Sequence, residues 1–301
     1  MKIGYPCINL TVGCVSSKTF RLGSYSENRL IDAVENNLNC LQKILSFNVE
    51  KEMLFFRISS EIVPFASHPV CKFKWEKRFK EVFHNIGSFI KVNNIRISMH
   101  PDQFTLINSI DEMVYNRSIE ELKYHVKILD LLGLDTSAKV QIHVGGVYND
   151  KRESIKRFVR RYKRLSKRIK RRLVIENDDR LYNLEDCLSI HEEAGIPILF
   201  DVFHHAIYNS GESVPEALER FSKTWEKNDG IPMIDYSSQQ VGERRGNHAK
   251  TIDIDDFKKF LIQTKGFDFD VMLEIKDKEN SALKAVEAAL ADRRFGSGSK
   301  C

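Results

Sequence analysis

Eight short apolar runs, each followed by a stretch with helical periodicity, constrain this chain more than anything else in its sequence. The runs are KIGYPC (2–7), MLFFRISS (53–60), RISMH (96–100), KVQIHV (139–144), LVIEN (173–177), PILFDVFH (197–204), IPMIDYSS (231–238) and FDVMLEI (269–275). Between them apolar residues recur every three or four positions, as in ENRLIDAVENNLNCLQKIL (27–45), YNRSIEELKYHVKILDLLG (115–133) and VPEALERFSKTW (214–225). Strict alternation of strand and helix requires parallel strands joined by right-handed crossovers. Eight such units in 301 residues predict an α/β fold, a single closed (β/α)8 TIM barrel, over an open doubly wound sheet. No GxGxxG or GxxxxGK[ST] turn marks the alternative. No linker rich in Gly, Pro or Ser divides the chain, so one domain is expected over residues 1–290, with 291–301 reading as an appended tail of low complexity.

In a barrel of this kind, residues leaving the C-terminal ends of the strands converge on one annulus. The runs place a polar residue late in the strand again and again: His100, His143, Glu176, Asp201 with His204, Asp235 and Glu274, with His248 in the loop after the seventh strand. One such residue alone is an ordinary satisfied structural group. Eight of ligand type on one annulus are different, because unpaired buried carboxylates each cost several kcal/mol and a cation removes that cost. Histidine and carboxylate without cysteine suit Mn, Zn or Fe. Eight ligands exceed the needs of one ion with an open position, so two or three ions are expected, a centre suited to hydrolysing phosphate esters or to isomerising a sugar.

Composition narrows the surroundings. The net charge is only +5, yet residues 151–172 carry thirteen Lys or Arg against one Glu, leaving the rest of the chain acidic. Ile155, Phe158, Val159, Tyr162, Leu165 and Ile169 make this run one amphipathic helix. Its basic side reads either as a solvated face or as an electrostatic footprint for phosphates. Six scattered cysteines with no CxxC pair indicate neither a zinc ribbon nor a disulfide framework. The apolar start is too short for a signal peptide, and no run approaches the roughly 18 residues of a membrane span, so a cytoplasmic, monomeric protein without membrane contact is expected.

The motifs ISMHPDQF, RISSEIVPFASH, DVFHH, YSSQ and GYPCIN, read together across residues 2–280, resemble those of the UV damage endonuclease family. The resemblance implies a barrel related to endonuclease IV and a cluster of up to three manganese ions. It also implies hydrolysis of the phosphodiester immediately 5′ of a UV photoproduct in double-stranded DNA, a cyclobutane pyrimidine dimer or a 6-4 photoproduct, leaving a 3′-hydroxyl and a 5′-phosphate. The implied ligands are His100, His143, Glu176, Asp201, His204, His248 and Glu274, with His68 close to the scissile phosphate; His68, His204, Glu176 and Glu274 form the expected catalytic set. Gln103 and Phe104 fall on the pair that the family pushes into the duplex, where the second residue is usually tyrosine. Tyr5 and Asn9 fall near the damaged nucleotides. A wedge of this kind reads deformability, since a photodimer is poorly stacked and cheap to extrude.

One departure stands out. The family commonly has a carbamylated lysine and a histidine two residues apart on strand seven, and here those positions read Met233 and Asp235. A methionine excludes the modified lysine, whereas Asp235 restores the formal charge of the ligand shell to −4 and is expected to act as a metal ligand. An abasic-site nuclease or sugar isomerase on the same barrel, and a non-catalytic damage-binding protein, are the alternative readings.

Overall fold

The structure, a computed structural model, describes residues 1–296. Eight parallel strands close into a barrel in the order β1 to β8: Ile3–Pro6, Phe55–Ile58, Arg96–Met99, Lys139–His143, Leu173–Glu176, Ile198–Asp201, Met233–Tyr236 and Asp270–Leu273. β8 pairs with β1, with Ile3 opposite Val271, which completes the (β/α)8 architecture. Gly4 sits where β1 meets β2, and a Cβ there would lie 1.5 Å from the Phe55 carbonyl oxygen, so only glycine permits that pairing.

Alternation along each strand divides its side chains between two faces. Phe56, Ile58, Ile97, Val140, Ile142, Ile175, Ile198, Phe200, Ile234 and Leu273 face the surrounding helices and form the main core with them. The other face fills the barrel in layers, as a closed eight-stranded barrel requires. At the floor, Arg96 pairs with Asp270 and Lys139 with Asp229. Above them lies a separate apolar layer of Phe55, Val174, Leu199, Met233 and Met272. The next inward positions, two residues further along, are Arg57, Glu176, Asp201, Asp235 and Glu274, and Gln141, opposite Val174, reaches Glu176 and Asp235 with its side-chain amide.

Several boundaries differ from the sequence reading for local reasons. The run 197–204 is not one strand: β6 stops at Asp201, whose carboxylate accepts the His204 amide at 2.7 Å and caps a short helix, Val202–Ile207. The basic run is two helices, Lys151–Arg164 and Lys167–Lys170, because Leu165 and Ser166 are extended and Ser166 caps the second. The packed chain continues past residue 290: the Arg294 guanidinium donates to the Thr264, Phe267 and Leu261 carbonyls and Phe295 packs on the core. The remainder of the expected tail, 297–301, lies outside the described residues.

The cysteines require a correction. Cys14, in the loop after β1, forms a disulfide with Cys40 of the helix Glu27–Glu50, while Cys7, Cys71 and Cys187 are free. No helix among the described residues is long and apolar enough to cross a membrane.

Candidate metal centre and nucleic-acid face

The eight ligand-type residues meet at the C-terminal mouth of the barrel. Three overlapping groups offer ligand atoms within 4.8 Å of one another: His100, His143 and Glu176; Glu176, Asp201 and His204; Asp201, Asp235 and Glu274. Glu176 and Asp201 each belong to two groups, so the three form one chain of sites. His248 adjoins it, its ring centroid 6.2 Å from that of His204 and its Nδ1 3.9 Å from a Glu274 carboxylate oxygen.

Hydrogen bonds set the histidines for this task. His100 Nδ1 lies 2.7 Å from the Pro101 carbonyl and His248 Nδ1 lies 2.9 Å from the Glu274 carbonyl. A carbonyl accepts only, so each Nδ1 carries the proton and each Nε2 keeps a free lone pair, the arrangement that orients metal-binding imidazoles. His143 Nδ1 and Asp201 Oδ2 are buried with no hydrogen-bond partner among the described residues, His204 Nδ1 lying 3.4 Å from the latter, a costly state that a cation resolves. This donor set fits a divalent, moderately hard cation.

The electrostatics are those of a site built around charge. Burial pushes the Asp201 carboxyl up to about 7, with Glu176 and Glu274 adding to the effect. Burial alone would lower His204, but Asp201 and Glu176 raise it to about 11. Burial opposes ionisation of Glu274 too, yet Arg57 beside it holds its carboxyl down to about 2.

Two residues that the sequence reading did not single out organise the cluster. The Arg57 guanidinium, 3% exposed, donates to both Asp235 carboxylate oxygens at 2.7 Å and also to Glu274. Burial works against its charge, but these two carboxylates hold it protonated. The Gln141 amide donates to Glu176 and to Asp235, each at 2.8 Å. Asp235 thus lies at the base of the cluster, fully buried, where burial pushes its carboxyl well above the usual range while Arg57 opposes that shift. Met233, directly below on the same face of β7, completes the apolar layer.

The residues expected to touch DNA separate into two kinds. Gln103 lines a cavity of about 560 Å³ with His100, His143, His248 and Glu274, so it belongs to the mouth of the candidate metal centre. Phe104, 69% exposed, lines a neighbouring cavity of about 400 Å³ with His68 and Glu121. His68 stands outside the ligand groups, and its Nδ1 accepts the Val70 amide at 3.1 Å. Its Nε2 therefore carries the proton, the reverse of His100 and His248, which suits a donor to phosphate and not a ligand. Tyr5 is placed elsewhere: it is fully buried on the helix side of β1, its hydroxyl donating to Asn48 at 2.6 Å. Asn9 donates to that hydroxyl at 2.8 Å and accepts the Thr11 and Val12 amides, so it shapes the loop after β1. Both ends of its side-chain amide are thereby committed within the protein.

The turn carrying Gln103 and Phe104 is braced on both sides. The Asp102 carboxylate accepts the Phe104 amide at 2.8 Å, a local turn of the kind that Asp favours. Ser60 Oγ donates to the His100 carbonyl and the Leu106 amide donates to Ser118 Oγ. Behind it, Arg157 donates to the Asn108 carbonyl and the buried Arg161 to those of Ile107 and Ser109. Arg172 is likewise buried and bonded to four groups around Asp130. Part of the basic run is therefore structural, while Arg152, Arg160, Lys163, Arg164 and Lys167 remain exposed.

Fold and site together define a (β/α)8 barrel whose mouth presents a histidine and carboxylate centre beside a braced polar-aromatic turn. The whole of residues 1–294 matches the family model UV-endonuclease UvdE, and the chain belongs to that family. Among its relatives, the UV DNA damage endonuclease of Clostridium perfringens is 39% identical over 96% of this chain and 70% of its own length. That of Bacillus thuringiensis subsp. konkukian is 34% identical over 95% and 94%. The crystal structure of SacUVDE superposes with a TM-score of 0.92 at 47% identity, covering 96% of this chain and 98% of that one. Endonuclease IV from Thermus thermophilus, at 14% identity, covers 81% of this chain and 91% of its own with a TM-score of 0.56, a likeness of fold alone.

Proposed function

We propose that this protein is a metal-dependent endonuclease of UV-damaged DNA, hydrolysing the phosphodiester immediately 5′ of a pyrimidine photoproduct and leaving a 3′-hydroxyl and a 5′-phosphate. The observation that carries the reading is the juxtaposition of the three ligand groups with the Gln103–Phe104 turn at one barrel mouth. Its relatives named as UV DNA damage endonucleases support it. His100, His143, Glu176, Asp201, His204, Asp235, His248 and Glu274 would hold two or three cations, manganese fitting best with zinc as the substitute. When bound, the cations supply Lewis-acid stabilisation of the charge that develops on the phosphate.

The chain's own residues do the rest. Gln141 fixes the rotamers of Glu176 and Asp235, and the backbone carbonyls fix the imidazoles. His68 offers its Nε2 proton to a phosphate oxygen. Gln103 presents its amide to the bases left unpaired by extrusion, and Phe104 stacks where the lesion was. The protein acts as a soluble, cytoplasmic monomer.

The direct test is a duplex carrying one defined pyrimidine dimer, incubated with the protein and Mn2+ and mapped at nucleotide resolution. A single cut 5′ of the dimer, abolished by EDTA, is the expected result. Equal cutting of undamaged duplex, or cutting that survives chelation, overturns the reading. The turn separates recognition from chemistry. Base stacking on an aromatic contributes about 1 to 3 kcal/mol, so Phe104→Ala should cost one to two decades in preference for damaged duplex. The double variant Gln103→Ala/Phe104→Ala should retain its metal content. Anisotropy with damaged and intact duplex, alongside metal analysis, checks this, and unchanged discrimination would make the turn an ordinary loop.

A further inference from the structure

The loop after β8, Ile275–Lys278, closes one side of the cavity that opens onto the ligand groups, and Lys276 and Lys278 both line it. Lys278 has φ 52° and ψ −117°, a backbone conformation that L side chains rarely adopt. Cys7, across the same cavity, also has a positive φ of 73°. Strained non-glycine backbone persists only where the surroundings over-determine it, and it gathers at functional sites.

The surroundings here are explicit. The Lys276 and Asp277 amides donate to the Ala249 and Lys250 carbonyls, each at 3.1 Å, tying the loop to the segment that carries His248. Asp277 accepts from Thr251 and Ser281, and the buried Glu279 accepts the Leu10 amide at 2.8 Å and the Thr11 hydroxyl at 2.6 Å. The carboxylates on either side of Lys278 are thus committed to the scaffold. Lys278 Nζ itself has neither a hydrogen bond nor an ion pair among the described residues. The Lys278 backbone is tied in, the amide donating to the Ile275 carbonyl and the carbonyl accepting the Ala282 amide, but the ammonium gains no internal partner. What the side chain yields is a cation at the rim of a cavity lined by His100, His143, His248 and Glu274.

We infer that Lys278 is a phosphate-binding residue, its ammonium contacting a non-bridging oxygen of the DNA phosphate presented to the metal centre. This rests on the proposed endonuclease reading and assigns that site a protein cation beside the metal ions. A point charge on a flexible stem suits a phosphate that shifts during cleavage, where a rigid fork would not. Glycine would relieve the backbone, so the side chain and the stability of the fold make opposite demands at this position.

That opposition supplies the test. Wild type, Lys278→Met, Lys278→Gly and Lys278→Arg are compared for thermal melting and for cleavage of a dimer-containing duplex in Mn2+ across a series of KCl concentrations. Lys278→Gly should melt above wild type, and both it and Lys278→Met should lose about ten- to a hundredfold in kcat/KM. Their log–log salt slope should be shallower by about 0.9, one phosphate contact. Lys278→Arg keeps the charge in a rigid fork, so it should retain the wild-type salt slope while recovering only part of kcat/KM. Wild-type kcat/KM and salt slope in Lys278→Met, or a lowered melting temperature in Lys278→Gly, would overturn the inference while the endonuclease reading stands. A wild-type protein that leaves the duplex intact would overturn both.

Discussion

An Asp235→Ala protein is expected to bind markedly less divalent metal and to cut dimer-containing duplex about ten- to a hundredfold more slowly, the scale typical of disturbing groups that orient a metal centre. Two effects combine. Asp235 contributes one of the three carboxylates of its ligand group. It also engages the Arg57 guanidinium through both oxygens, so its removal leaves that buried cation bonded to Glu274 alone and facing the positions the metals would take. Asp235→Asn keeps the shape but not the charge and should fall between. Metal content by elemental analysis and single-turnover cleavage decide the matter. Wild-type stoichiometry and rate in Asp235→Ala would show that Asp235 serves only as the partner of Arg57.

Arg57→Met should be the most destabilising change at the mouth, costing about 3 to 5 kcal/mol in the metal-free protein, the range for removing one partner of a buried ion pair. The loss leaves Glu176, Asp201, Asp235 and Glu274 facing one another around a site with almost no solvent for the first three. Added Mn2+ replaces part of the missing positive charge. The gain in melting temperature on adding Mn2+ should therefore be larger for Arg57→Met than for wild type. Thermal unfolding with and without Mn2+ measures this difference, and an equal gain in both proteins would separate Arg57 from the metal centre.

The barrel and the gathering of most of its candidate site residues at one mouth were legible because one rule governs both. A ligand-type side chain late in an apolar run shares the inward face with the apolar residue two positions earlier, and this held for Glu176, Asp201, Asp235 and Glu274. Arg57 and Gln141 lie on that same inward face, yet an arginine or an amide in a strand is no metal ligand, so the pattern was visible and its meaning was not. Tyr5 shows the limit of motif position: it neighbours Gly4 and Pro6 on the chain but points to the opposite side of β1, where only the folded register decides what it meets. Asp201 and His204 read as one strand because valine and phenylalanine suit either state, and only the carboxylate cap chooses the helix. The disulfide joins a loop to a helix 26 residues away, and cysteine spacing alone carries no signal for that.

The layering of the barrel interior has a consequence for how its parts can change. Arg96 and Lys139 at the floor lie over the Trp225 ring, 5.8 and 5.7 Å from its centroid, and the apolar layer with Met233 separates them from Arg57 and the carboxylates above. The two charge networks share no hydrogen bond among the described residues. Groups without common partners contribute independently. Substitutions at the floor and at the mouth should therefore add in free energy, so the barrel can be made more robust from below with little penalty to the chemistry above. Met233 marks the boundary: a charged side chain in its place would join the two ends and remove that freedom.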